Sequence, residues 1–137
     1  MARTRVLDVG NCDPDHGVIR GMLEANFDAT VDRVMFVHEA LHKLRNQRYD
    51  LVLVNRLIFA DGSPGLELVH QMKADPALAK TPVMLVSNYG EAQEQAVAAG
   101  AVPGFGKAGV GKPETLALIE HYLPRRRDAV SSAAASS

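Results

Sequence analysis

The feature of this sequence that most limits its fold is the alternation of short apolar runs with longer segments of helical spacing. The short runs are rich in Val and Leu, as strands are, and lie at 5–9, 29–34, 51–54, 82–86 and 101–105. The run LVLV at 51–54 is apolar without alternation, which is typical of a parallel strand covered on both faces. The run at 101–105 is the weakest, because Pro103 and Gly104 interrupt it. The pattern predicts five strands.

The segments between and after these runs carry apolar residues at spacings of three and four, which indicates amphipathic helices. Asp13 with Pro14 predicts the start of the first helix, and Gly100 predicts the end of the fourth. The five apolar stripes are Val18, Ile19, Met22 and Leu23; Val37, Ala40, Leu41 and Leu44; Leu66, Leu68, Val69 and Met72; Ala92, Ala96, Val97 and Ala99; and Leu116, Leu118, Ile119, Tyr122 and Leu123.

Five strands alternating with five helices predict an α/β fold of the (βα)5 type. Helical crossovers between parallel strands place helices on both faces of a doubly wound, parallel five-stranded sheet. For a chain of 137 residues the flavodoxin-like strand order 2-1-3-4-5 is the favoured arrangement. We expect one domain over residues 4–124. Since the chain from Asp128 onward carries no large apolar group, we expect a disordered tail over 125–137.

Composition excludes several classes of protein. Fifteen Lys and Arg oppose sixteen Asp and Glu, for a net charge of -1, which argues against a nucleic-acid partner bound through a strong basic field. The single cysteine, Cys12, excludes an internal disulfide framework and a zinc site built from several thiolates. No apolar run approaches the roughly 18 residues of a membrane span, and no signal peptide precedes the first strand. We therefore expect a cytoplasmic protein with no membrane partner.

The polar residues that follow the predicted strands mark the candidate site. Ligands of open α/β sheets bind outside the carboxyl ends of the strands. The segments at these ends are Gly10-Asn11-Cys12-Asp13, Asn55-Arg56, Ser87-Asn88 and Gly106-Lys107. They hold a hydroxyl group and a lysine, and they are short of carboxylates.

Three stretches carry a resemblance to a known family. DLVLVN followed by GLELV, then TPVMLVS, then GAVPGFGK resemble the receiver domain of bacterial two-component response regulators, of the chemotaxis-receiver type, over about residues 4–123. That resemblance implies a phosphoacceptor Asp after strand three, an acidic pair for Mg²⁺ after strand one, a Ser or Thr after strand four and a Lys after strand five. Ser87 and Lys107 match. Asn55 stands at the phosphoacceptor position, and Gly10 and Asn11 stand at the acidic pair.

These substitutions predict a pseudo-receiver, which has the fold without the phosphorylation chemistry. An Asn amide is a poor nucleophile and forms no acyl phosphate, so we expect no enzymatic activity. Amide carbonyls are weak ligands for Mg²⁺, so we expect no cofactor and weak or absent Mg²⁺ binding. Lys107, without an acyl phosphate to contact, is expected to hydrogen-bond Asn55.

The resemblance also implies how such a module acts. We expect a stand-alone signalling module of a two-component phosphorelay that binds a protein partner (a histidine kinase, an effector or another signalling protein) or forms a weak homodimer. The interaction face implied by the family, made of helix four, strand five and helix five, would present Tyr89, Glu91, Gln95, Phe105, Val110 and Lys112.

Two departures from the family bear on this expectation. The loop RLIFADGSP after Asn55 is about two residues longer than is typical of receivers. The family's switching aromatic in strand five corresponds to Gly104, with Phe105 on the opposite face of the strand.

Alternative functions remain open. The Gly104–Lys112 loop has the spacing of a glycine-rich phosphate-binding loop, but Pro113 replaces the hydroxyl residue that ligates Mg²⁺. A conventional receiver with a displaced acceptor would use Asp61 or Asp13, although a turn explains Asp61 beside Gly62.

Asp8 and Cys12 raise separate questions. Asp8 lies within the buried first strand and needs a partner, either a nearby basic or hydroxyl group or, more specifically, Lys107 or Ser87. Cys12 lies beside Asp15 and His16, and a loop or helix-cap role is favoured over a metal site made of Cys12, Asp13 and His16.

Overall fold

A computed structural model of the chain describes residues 3–127. Five parallel strands form one sheet in the order β2-β1-β3-β4-β5, which confirms the predicted topology. The strands are β1 (Thr4–Val9), β2 (Ala29–Val34), β3 (Leu51–Asn55), β4 (Val83–Val86) and β5 (Val102–Phe105).

Helices connect and cover the strands on both faces of the sheet, as predicted. They are α1 (Asp13–Asn26), α2 (Val37–Asn46), α3 (Leu66–Ala74), α4 (Gly90–Ala98) and α5 (Pro113–Ile119), with a 3-10 turn at Lys107–Gly109. One apolar cluster packs α2, α3 and α4 on the sheet, and a second packs α1 and α5 on the other face. The helix α5 is shorter than its apolar stripe, because the chain turns after Ile119 while Leu123 remains buried.

The strands β1, β3 and β4 are almost fully buried because both faces of the sheet are covered. The run LVLV of β3 has 0% exposure at every residue, and all four residues of β4 are also buried. Central strands of this kind hold their carboxyl ends in fixed positions, and they position the loops that follow them.

The segment after α5 contacts the end of α1. The backbone N–H of Arg126 donates to the Asn26 carbonyl oxygen at 2.9 Å, and the Arg125 guanidinium lies 5.5 Å from the centre of the Phe27 ring. The tail expected over 125–137 therefore begins with residues that pack on the domain, while residues 128–137 lie outside the described part of the chain. Across residues 3–127, no helix combines the length and the apolar character that crossing a membrane requires.

Candidate functional site

The carboxyl ends of β3, β4 and β5 meet at one cavity of about 310 Å³. Asn55 ends β3, Ser87 follows β4 and Lys107 follows β5, and the parallel register brings the three to the same edge of the sheet. The cavity is lined by Asn55, Arg56, Leu57, Val86, Ser87, Asn88, Tyr89 and Lys107. The structure thus groups the residues at three of the predicted positions, whereas Gly10 and Asn11 are not part of this lining.

Lys107 is held by a carboxylate that the sequence analysis did not select. Its Nζ lies 2.6 Å from Asp15 Oδ2, and the Cys12 thiol donates to the same oxygen at 3.2 Å. The hydrogen bond from Lys107 keeps the pKa of Asp15 below its ordinary value, and the bond from Cys12 acts in the same direction. The expectation that Lys107 bonds Asn55 is therefore wrong. Asn55 instead donates its Nδ2 to the Leu57 carbonyl oxygen at 2.7 Å.

The position of the first missing acid is covered by an apolar side chain. Gly10 has a φ of +78°, and a Cβ added there would lie 2.5 Å from Ile58 Cδ1 and 3.2 Å from Ile58 Cα. Ile58 is fully buried, and the backbone N–H of the next residue, Phe59, donates to the Gly10 carbonyl oxygen at 2.9 Å. The long loop after β3 is therefore folded over the end of β1. A carboxylate at position 10 would need both a strained backbone and the space that Ile58 fills.

The buried Asp8 pairs with two residues that follow β1 in the chain. Asn11 Nδ2 donates to Asp8 Oδ1 at 2.6 Å, and His16 Nδ1 lies 2.6 Å from Asp8 Oδ2. The more specific expectation, a bond from Asp8 to Lys107 or Ser87, is wrong, whereas the general one, pairing with a nearby basic group, is confirmed at His16. The side-chain oxygen of Asn11 is buried and has no hydrogen-bond partner among the described residues.

Asp15 and His16 were not predicted as site residues, because the sequence predicts a loop and a helix cap after β1. The helix α1 begins at Asp13, so both residues lie in its first turns, above the end of β1. The available signal was topological, since the helix that follows a strand starts at that strand's carboxyl end. Polar residues in its first turn therefore face the same edge of the sheet as Lys107.

The residues at this edge differ from the Mg²⁺ ligands that the resemblance implies. Gly10 offers no side-chain ligand, Ile58 fills the adjacent space, and Asn11 is committed to Asp8. Within residues 3–127, no group of three or more His, Cys, Asp or Glu side chains is placed to hold a metal ion. The donor set is therefore poor for a hard divalent cation.

The residue at the family's switch position lies too close to β4 to carry a side chain. A Cβ on Gly104 would overlap the Leu85 carbonyl oxygen and would lie 3.0 Å from Gln93 Oε1. Gln93 of α4 bridges the irregular pairing of the two strands, since its Nε2 donates to the Leu85 carbonyl oxygen at 2.9 Å and its Oε1 accepts from the Gly104 N–H at 3.2 Å. An aromatic side chain cannot occupy position 104 in this arrangement.

The expected interaction face needs two corrections. Phe105 is only 5% exposed and packs in the apolar core on the α1 and α5 side, so it is not available to a partner. Tyr89, Glu91 and Gln95 line a groove that faces the loop after β3 and the start of α3, rather than β5. Of the remaining members of that face, Lys112 is exposed, and the half-buried Val110 packs against the same core as Phe105.

The glycine-rich loop does not present its backbone as a phosphate cradle. The N–H groups of residues 108–112 all donate within the protein: that of Ala108 to Asn88 Oδ1, that of Gly111 to the Met22 sulfur, and the other three to backbone carbonyl oxygens of the loop. A phosphate-binding loop keeps such groups free for its ligand. The geometry therefore gives the Gly104–Lys112 alternative no support.

Both carboxylates suggested as displaced acceptors have local partners. Asp61 accepts bonds from the backbone N–H and the hydroxyl of Ser63 at 2.9 and 2.6 Å, and these bonds lower the pKa of Asp61. This is the turn role that the sequence predicted. Asp13 pairs with Arg33 at 2.7 Å. Neither carboxylate is among the residues that line the cavity.

Comparison with known proteins shows the fold. No family model and no curated protein matches the sequence. Solved structures do match: the signal receiver domain of an HD domain-containing protein from Pseudomonas fluorescens Pf-5, at 16% identity and a TM-score of 0.74, covers 96% of this chain and 93% of its own. The phosphorylated cyanobacterial phytochrome response regulator RcpA, at 21% identity and a TM-score of 0.70, covers 90% and 99%.

A third solved structure has a similar fold. The response regulator receiver domain (CheY-like) from Methylobacillus flagellatus, at 22% identity and a TM-score of 0.66, covers 88% of this chain and 95% of its own. At these identities the likeness establishes architecture and not chemistry. The chain has the fold of a response-regulator receiver domain, as the resemblance implied.

Proposed function

We propose that this chain is a pseudo-receiver: a signalling module with the receiver fold that binds a protein partner without being phosphorylated on aspartate and without catalysing a reaction. The partner is a histidine kinase, an effector or another signalling protein. Receiver-fold neighbours that are response regulators support the signalling role, and the chemistry of the cavity supports the loss of phosphorylation.

The observation that carries the proposal is that the phosphoacceptor position and the metal position both lack the carboxylates that phosphorylation requires. Asn55 supplies an amide where a carboxylate nucleophile is needed, and the amide nitrogen is already a donor to the Leu57 carbonyl oxygen. Gly10 supplies no carboxylate ligand for Mg²⁺, and Ile58 fills the space beside it. Asp15 holds Lys107, which therefore has a counter-ion without an acyl phosphate.

Incubation with acetyl phosphate and Mg²⁺, followed by intact-mass measurement, tests the loss of phosphorylation. We expect no phosphoryl adduct on the wild-type chain. We also expect none on Asn55→Asp, because restoring the nucleophile leaves the metal position covered by Ile58. A wild-type adduct that disappears in Asp61→Asn or Asp13→Asn would overturn the proposal in favour of a displaced acceptor.

Binding to a partner is tested separately by the metal dependence of capture. The chain, immobilised and exposed to lysate of its native cell, should retain the same histidine kinase or effector with and without EDTA and with and without acetyl phosphate. Retention that requires Mg²⁺ and acetyl phosphate together would instead indicate a conventional receiver.

A further inference from the structure

A groove runs between the loop after β3 and the first turns of α4. It has a volume of about 640 Å³. Its loop side includes Leu57 and Leu66, and its α4 side includes Ala92 and the ring of Tyr89. Arg56 joins the two sides, because its guanidinium lies over the Tyr89 ring, with its central carbon 4.9 Å from the ring centre. The groove therefore presents apolar side chains to solvent.

Exposed apolar side chains are concentrated at this groove. Five large apolar side chains are exposed among the described residues, and three of them, Leu57, Phe59 and Tyr89, lie in the loop after β3 or directly before α4. Leu57 and Tyr89, which are 43% and 62% exposed, line the groove itself. A single exposed apolar residue is ordinary, whereas a group of them beside a groove is typical of a protein–protein interface.

The groove also carries one charge of each sign. Arg56 lies on the loop side, and Glu91 lies in the first turn of α4. Both side chains are exposed, and neither has an ion-pair partner within residues 3–127. Gln95, also in the lining, has an amide group that both donates and accepts hydrogen bonds. A surface with unpaired charges of both signs can be its own complement across a two-fold axis.

We propose that this groove is the interface of a weak, symmetric homodimer, so that a second copy of this chain occupies it. Arg56 of each copy pairs with the partner's Glu91, and the Leu57 and Tyr89 side chains of the two copies pack together. A strongly acidic or strongly basic partner is disfavoured, because it would place a like charge against Glu91 or Arg56. The ion pairs are exposed and few, so the dimer is weak. The interface includes no residue of β5 or α5.

Analytical ultracentrifugation of the full chain tests this interface. We expect the wild-type chain to shift from monomer to dimer over a concentration series up to about 1 mM. Arg56→Glu and Glu91→Arg should each weaken dimerisation at least about tenfold, because each variant places like charges together twice in the dimer. Lys112→Glu and Glu94→Arg are the matched controls. They make the same charge reversals at exposed positions outside the groove and should leave dimerisation unchanged.

Mixing the two groove variants tests the reciprocal pairing. In a heterodimer of Arg56→Glu with Glu91→Arg, both contacts again join opposite charges. The equimolar mixture should therefore associate about as tightly as the wild-type chain, although each variant alone associates weakly. Damage to the fold of either variant would not be repaired by mixing, so recovery of the dimer is specific to the paired geometry.

Four results would overturn the proposal: a wild-type chain that stays monomeric up to about 1 mM, dimerisation unchanged by charge reversal in the groove, variants that fail to associate when mixed, or dimerisation lost in Glu94→Arg and kept in Glu91→Arg. The dimer does not depend on the proposed signalling role. Its failure appears as a change in sedimentation, whereas failure of the pseudo-receiver proposal appears as a covalent phosphoryl adduct or as metal-dependent capture.

Discussion

The contact between Gly10 and Ile58 covers the position of the first missing acid, and it can be tested by a double-mutant cycle. Gly10→Ala introduces a Cβ at a φ of +78° and 2.5 Å from Ile58 Cδ1. The left-handed backbone costs an L residue about 1–2 kcal/mol, and the overlap with a packed side chain costs about 1–3 kcal/mol. We expect Gly10→Ala to lower the free energy of unfolding by about 2–5 kcal/mol.

The second arm of the cycle removes the side chain that causes the overlap. Ile58 is fully buried, so Ile58→Ala alone should cost about 2–5 kcal/mol in lost burial and residual cavity. In the double variant the overlap with Ile58 Cδ1 is gone, while the backbone strain at position 10 remains. The double variant should therefore be more stable than the sum of the two single effects predicts, by about 1–3 kcal/mol.

Urea unfolding followed by far-UV circular dichroism measures all four proteins. Gly17→Ala is the control, because Gly17 lies in α1 and a Cβ added there meets no atom within 4 Å. It should be neutral or stabilising by up to about 1 kcal/mol. Additivity of the two single effects to within about 0.5 kcal/mol would refute the claim that Ile58 fills the space of a side chain at position 10.

Two further predictions concern β5 and the partner of Lys107. Gly104→Ala should lower the free energy of unfolding by about 2–4 kcal/mol in urea, because its Cβ meets the Leu85 carbonyl oxygen. Gly90→Ala is the control and should not have this cost, because a Cβ added there meets no atom within 4 Å. Equal effects of the two substitutions would contradict the close approach of β5 to β4. Asp15→Asn should cost at most about 1 kcal/mol, because the pair with Lys107 is partly exposed. Folding lowers the pKa of Asp15, so the ionised carboxylate stabilises the folded state. The difference in free energy of unfolding between the wild type and Asp15→Asn should therefore be constant above pH about 5 and shrink as the pH falls below the ordinary pKa of 3.8. A difference that grows as the pH falls would contradict the pairing of Asp15 with Lys107.

The fold was predictable from the sequence because its signals are repeated and local. Each strand is an apolar run, each helix has its own stripe, and the crossover rule converts their alternation into a parallel sheet. The prediction of a strand at 101–105 was the weakest of the five. Its Pro103 and Gly104 argue against a strand, yet β5 forms at the edge of the sheet, where a missing N–H costs little and where Gln93 completes the pairing.

The sequence predicts only those features of the site that follow from the positions of the strand ends. Asn55, Ser87 and Lys107 lie together because parallel strands end at the same edge. The partners of these residues depend on side-chain direction and on the path of loops, which periodicity does not encode. The sequence shows that the loop after Asn55 is long, but not that it places Ile58 against Gly10.

The charges at the site differ from those that a metal-dependent receiver requires. A metal-dependent receiver concentrates carboxylates at the ends of β1 and β3 and needs a divalent cation to offset their repulsion. Here the remaining carboxylates at that edge are each paired, Asp8 with His16 and Asp15 with Lys107. Arg56 is left without a carboxylate at the mouth of the cavity, so the local charge is positive in a chain whose net charge is -1. This balance of charge supports the proposal that the chain acts without Mg²⁺ and without phosphorylation on aspartate.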